Sequence, residues 1–166
     1  MVRLTNDIDV VIRVKKARVE GLVEVLVNAK FHIDADTSIR AIRLERPFNV
    51  IHIPSAFRFD LIPVGSSLYD QVQFARRRFE EIPIFGNDPI ELSVATPEDV
   101  ILSKLRWYRL GGGTSNVQWN DVLGVIAVQR DHLDYAYLRR WAQFLGLSQL
   151  LEEVLAERHE PMWPSE

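Results

Sequence analysis

Thr5-Asn6-Asp7-Ile8-Asp9-Val10-Val11-Ile12 is the stretch that decides the fold. It starts with polar alternation and passes into a β-branched run, the pattern of a strand whose continuation is buried on both faces. The segment from Leu4 to Val14 is therefore expected to be a central strand. Asp7 and Asp9 are one residue apart, so on a strand their side chains share one face while Ile8 and Val10 take the other. Two carboxylates in one small space repel each other, and a hard divalent cation, which takes oxygen ligands, removes that repulsion.

On the C-terminal side of this strand, Val19, Leu22, Val23, Leu26 and Val27 recur at helical spacing, which predicts a helix over Ala17–Lys30. Phe31, Ile33 and Ala35 alternate with polar residues, and Asp36 or Thr37 is the expected cap of a short helix carrying Ile39, Ile42 and Leu44. Phe48–Ile53 and Phe57–Val64 read as two strands joined by Pro54-Ser55-Ala56, short enough for an antiparallel hairpin. Asp60 lies in the second of them, on the face opposite to Phe59 and Leu61. A carboxylate on so apolar a strand needs a partner, either Arg58 or another arginine, or a metal ion.

A helix is expected from Ser67 to Glu81 and a last strand over Ile90–Val94. Thr96-Pro97-Glu98-Asp99 then supplies an N-cap, a proline at the first helical position and two acids in the first turn, the start of a helix running to about Tyr108. After the Gly111-Gly112-Gly113 loop come helical patterns over Val117–Gln129, Tyr135–Leu145 and Gln149–Glu157, with Asp134 and Ser148 as caps of the last two. Trp107, Trp119 and Trp141 are expected in the core of this helical half.

Taken together, Arg3-x-Thr5-x-Asp7-Ile8-Asp9-Val10, Phe48-Asn49-Val50-Ile51-His52, Phe57-x-Phe59-Asp60-Leu61, Thr96-Pro97-Glu98-Asp99-x-Ile101-Leu102-x-Lys104-Leu105 and Trp119-Asn120-Asp121-Val122 cover nearly the whole chain. This pattern resembles the polymerase-beta-like nucleotidyltransferase superfamily, in its small prokaryotic branch of toxin-type and uncharacterised members. The resemblance implies an α+β fold in which a mixed sheet with flanking helices occupies residues 1–95 and a helical segment packed on it occupies 96–166. It implies that Asp7, Asp9 and Asp60 hold Mg²⁺ or Mn²⁺, with Asp60 also helping a hydroxyl attack the nucleotide α-phosphate. Thr5 and Lys104 would contact the nucleoside triphosphate, and Asp121 would orient Lys104 or meet the second substrate. The superfamily places a helix and a strand ending in Gly-Gly or Gly-Ser ahead of the acids. Only six residues precede Asp7 here, so either the true start lies upstream or the copy is shortened. Gly65-Ser66-Ser67 does not replace that turn and is expected to be a helix entry.

The expected activity is transfer of a nucleoside monophosphate from a triphosphate to a hydroxyl acceptor that no residue specifies. The alternative is a non-catalytic interaction module, such as one component of a toxin–antitoxin-like pair with a cognate protein partner. Composition bounds both. The 166-residue chain has the size of one domain with or without an appendage. Its net charge of −3 makes long nucleic acid an unfavoured partner, and Arg76-Arg77-Arg78, the one dense basic run, is expected on a solvated helix face. No cysteine is present, so thiolate chemistry and cysteine-ligated metal are excluded. His32, His52, His132 and His159 lack zinc-site spacing. No apolar stretch reaches the roughly 18 residues of a membrane span, and a cytoplasmic protein is expected.

Overall fold

The computed structural model describes residues 7–83, 86 and 88–157. Mixed α and β structure is present, and the chain divides into two compact units, residues 1–74 and 75–166. The helices beyond Thr96 belong to the second unit, together with a strand pair that precedes them.

The first unit is built on a four-stranded mixed sheet in the order β1-β4-β3-β2, with β1 at Asp7–Ile12, β2 at Phe31–His32, β3 at Phe48–His52 and β4 at Phe57–Pro63. β1 runs parallel to β4, β3 and β4 form the antiparallel hairpin, and β2 adds antiparallel to β3. Period-two alternation then sorts the side chains onto two faces. Val10 and Ile12, Phe59 and Leu61, and Phe48 and Val50 go to one face, where they pack with Val19 and Leu22 of α1 (Val19–Asn28) and Ala41 and Ile42 of α2 (Ala35–Arg43). The opposite face carries Asp7, Asp9, Arg58, Asp60, Asn49 and Ile51.

Two expectations change here. β1 is an edge strand of the sheet order rather than a central one, and Val11, on the acid face, is 42% exposed. Only alternate residues of its apolar run enter the core, so the strand is buried on one face. The cap of α2 is Asp34, whose carboxylate accepts from the Thr37 amide at 2.9 Å, two residues before the first expected cap.

The Ser67–Glu81 helix is also shorter than its pattern. α3 spans Leu68–Arg76, and Arg78–Ile82 forms β5, antiparallel to β6 (Ile90–Val94). Pairing with β6 supplies the backbone partners that a continued helix would have supplied, a non-local effect that overrides local propensity. The entry of α3 matches its reading: Ser67 Oγ donates to Asp70 Oδ2 at 2.6 Å and accepts from the Asp70 amide.

In the second unit α4 (Pro97–Leu110) begins as its sequence dictates, with Thr96 as N-cap and Pro97 in the first turn. It packs on α5 (Asn116–Gln129) and α6 (Tyr135–Leu145), and α7 (Ser148–Glu157) packs on α5 and α6. Ile101, Leu102, Leu105, Val122, Ile126, Leu138, Leu151 and Val154 form the buried interior. Asp134 caps α6 through the Tyr137 amide, whereas Ser148 is the first residue of α7 rather than its cap. Trp141 is buried, but Trp107 points outward at 43% exposure, so the tryptophan series is only partly core.

Candidate functional site

The acid face follows from strand register. Asp9 lies opposite Asp60 and Asp7 opposite Arg58 on the neighbouring parallel strand. Directly paired residues of adjacent strands are about 4.8 Å apart and next-but-one residues of a strand about 6.6 Å, so three carboxylates and one guanidinium crowd a single patch. Asn49, opposite Asp60 on β3, borders it on the far side.

Arg58 holds the patch together. Its Nη2 donates to Asp60 Oδ2 at 2.7 Å and its Nε lies 3.5 Å from Asp7 Oδ1. The hydrogen bond that Arg58 donates to Asp60, then the charges of Asp60, Asp7 and Asp9, raise the guanidinium above its ordinary value. The side chains remain partly open to solvent, Arg58 at 46%, Asp7 at 49% and Asp60 at 27%.

Among the described residues no three His, Asp or Glu side chains converge closely enough to hold a metal ion in this conformation. The donor chemistry still suits a hard cation, since all three acids are oxygen donors on one sheet face. Arg58 already engages two of them.

Lys104 and Asp121 belong to the second unit and form an ion pair of their own. Lys104 Nζ lies 2.8 Å from Asp121 Oδ2 across the α4–α5 contact, both partly exposed. The lysine and the acid are thus in direct contact. Thr5 falls outside the described residues, as does His159.

The sequence reading missed a second polar cluster in the same unit. Glu98 and Asp99, read from the sequence only as two acids in the first turn of α4, are buried. Asp99 accepts from Tyr137 Oη at 2.7 Å on one oxygen and from Thr96 Oγ1 at 2.8 Å on the other. Arg76 reaches Glu98 at 3.3 Å and Asp99 at 3.4 Å and stacks 3.7 Å over the Tyr137 ring. Arg76 therefore points inward, and Arg78 sits on β5, so the arginine run does not make one solvated helix face. Burial pushes Glu98 up, but the Asp134 amide, its own amide, the Thr96 hydroxyl and Arg76 outweigh it and hold the carboxyl below its ordinary range. The one local signal for this cluster was a pair of acids beside a helix cap, which is ordinarily exposed.

Comparison with protein-family models, with curated proteins and with solved structures finds no match. No helix among the described residues is long and apolar enough to cross a membrane.

Proposed function

We propose that the chain is a divalent-metal-dependent nucleotidyltransferase acting on a nucleoside triphosphate and a hydroxyl acceptor, in the cytoplasm. The observation that supports it is the register of β1 against β4, with Asp9 opposite Asp60 and Asp7 two residues along the same face. Asp7, Asp9 and Asp60 would hold Mg²⁺ or Mn²⁺, which when bound offsets the phosphate charge that builds up during transfer. Asp60 takes the proton of the acceptor hydroxyl. The hydroxyl oxygen forms a bond to the α-phosphorus, and the bond from that phosphorus to pyrophosphate breaks. Incubation with labelled triphosphates and protein, RNA-end and small-molecule acceptors tests this. Label transfer lost in both Asp7→Ala and Asp60→Ala is expected, and transfer surviving both changes assigns the activity to other residues.

A second reading, a non-catalytic interaction module, draws on the Arg58 contacts, which satisfy two of the acids without any metal. Under that reading no triphosphate binds in the presence of Mg²⁺, and Asp9→Ala leaves calorimetric titrations unchanged.

A further inference from the structure

We infer that the outer edge of β5 pairs with the same edge of a second copy of this chain, antiparallel around a two-fold axis at Phe79. The partner is specified by a charge pattern that complements itself.

β5 and β6 form a sheet of two strands only, so each leaves one edge of backbone groups outside the ladder. Among the described residues no backbone hydrogen bond beyond the β5–β6 ladder reaches residues 78–82. The first four residues of each strand are exposed, and the Phe79 ring is 61% exposed. A two-stranded ribbon open on both faces is marginal in water, and a further strand stabilises it.

The charges of β5 select that strand. With the residue before it, β5 begins Arg77-Arg78-Phe79-Glu80-Glu81: two cations, an aromatic residue, two anions. Antiparallel pairing centred on Phe79 sets Arg78 opposite the partner's Glu80 and Glu81 opposite the partner's Arg77, twice each by symmetry. Opposite charges in direct cross-strand pairs stabilise a sheet and like charges destabilise it. On the other face from Arg78, Phe79 meets the partner's Phe79 at the axis. Sliding the strands by two residues sets Glu80 against Glu80 in one direction and Arg78 against Arg78 in the other. A slip of one residue sets opposite pleat faces side by side. Parallel pairing in register opposes every like charge. The β6 edge, Ile90-Glu91-Leu92-Ser93-Val94, carries no cation and has no such complement in itself.

The experiment is sedimentation equilibrium of the full chain from about 1 to 500 μM, a range that brackets weak association. Wild type is expected to dimerise with a dissociation constant on the order of 10 μM, as suits an interface below about 1,200 Å². Arg78→Glu and Glu80→Arg each set like charges opposite at both symmetry-related pairs, and each should weaken the dimer about thirtyfold. An equimolar mixture of the two variants restores opposite charges at every such pair and should associate as wild type does, which a folding defect in either variant would prevent. Phe79→Cys reports the register, since the chain has no other cysteine. Paired Cα atoms about 5 Å apart admit a disulfide, so dissolved oxygen should link Phe79→Cys chains, whereas Glu81→Cys chains, about 13 Å apart across the axis, should stay unlinked. A wild type that stays monomeric throughout the range overturns the inference and leaves the edge to a different chain. A dimer that both charge reversals leave unchanged, a mixture that does not associate, or linking of Glu81→Cys in preference to Phe79→Cys overturns it as well.

Discussion

Replacing Tyr137 by Phe removes one hydroxyl from the interior of the second unit and leaves the ring under Arg76. Tyr137 is 4% exposed and Asp99 fully buried, so the 2.7 Å bond between them is a hydrogen bond to a charged group shielded from water. Bonds of that kind contribute about 1.5–3 kcal/mol, and since Asp99 keeps Thr96 and Arg76 on its other oxygen, a loss of about 2 kcal/mol is expected, a factor of about 30 in the folded-to-unfolded ratio. Every tryptophan of the chain lies in residues 75–166, so urea unfolding followed by tryptophan fluorescence reports on this unit. The pH dependence is a second signature. Burial, then the hydrogen bond and charge of Asp99, raise the Tyr137 hydroxyl well above its ordinary 10.0, against smaller opposing effects of Arg76 and Arg140. A group whose value is raised on folding contributes fully below the unfolded value and loses that contribution as pH rises towards the folded one. The difference between wild type and Tyr137→Phe should thus be constant to about pH 9 and smaller by about 1.4 kcal/mol at pH 11. A difference under about 0.5 kcal/mol at neutral pH, or one unchanged between pH 9 and 11, would refute the assigned role.

Arg76→Met leaves Glu98 and Asp99 buried with less compensation and should cost about 2–4 kcal/mol by the same fluorescence assay, somewhat below a fully enclosed ion pair because Arg76 is 32% exposed. The same change should flatten the acid limb: Glu98, held below its ordinary 4.5, contributes above that pH and loses the contribution as pH falls through its folded value, and Arg76 is one of the groups holding it down. Val50→Ala opens a space in the core face of the first sheet, where Val50 is 1% exposed, and about 2 kcal/mol of lost protection is expected in amide exchange of β3 and β4. Gly65→Ala drives a methyl group into the Asp70 carboxylate that Ser67 holds, and should lower protection of the first turn of α3 by about 1–2 kcal/mol.

Elements defined by their own residues were legible in the sequence. The β3–β4 hairpin needed only two alternating runs and a short connection, and the start of α4 needed only Thr96 and Pro97. Elements defined by distant partners were not. Arg78–Ile82 continues the pattern of α3 and becomes a strand only because β6 pairs with it. Asp34, Asp36 and Thr37 are all competent caps by chemistry, and which one closes onto an amide depends on where the chain leaves β2. Within the candidate site, alternation predicted that Asp7 and Asp9 share a face and that Asp60 opposes Phe59, but register alone brings those two facts onto one patch. The Tyr137–Asp99 bond, spanning 38 residues, has no local pattern from which to read it.

The acid face poses a charge problem that the sheet has to meet whatever the protein does. Like charges directly opposite on neighbouring strands destabilise the pairing, and Asp9 stands opposite Asp60. Placing Arg58 two residues before Asp60 uses the same alternation that gathers the acids to deliver a cation among them, so the strand pair carries its own compensation. That compensation is partial: among the described residues of β1, β3 and β4, three carboxylates and one guanidinium leave this face with two net formal negative charges. Register and alternation together thus gather more negative charge on this face than Arg58 offsets, a cost that the strand pairing bears.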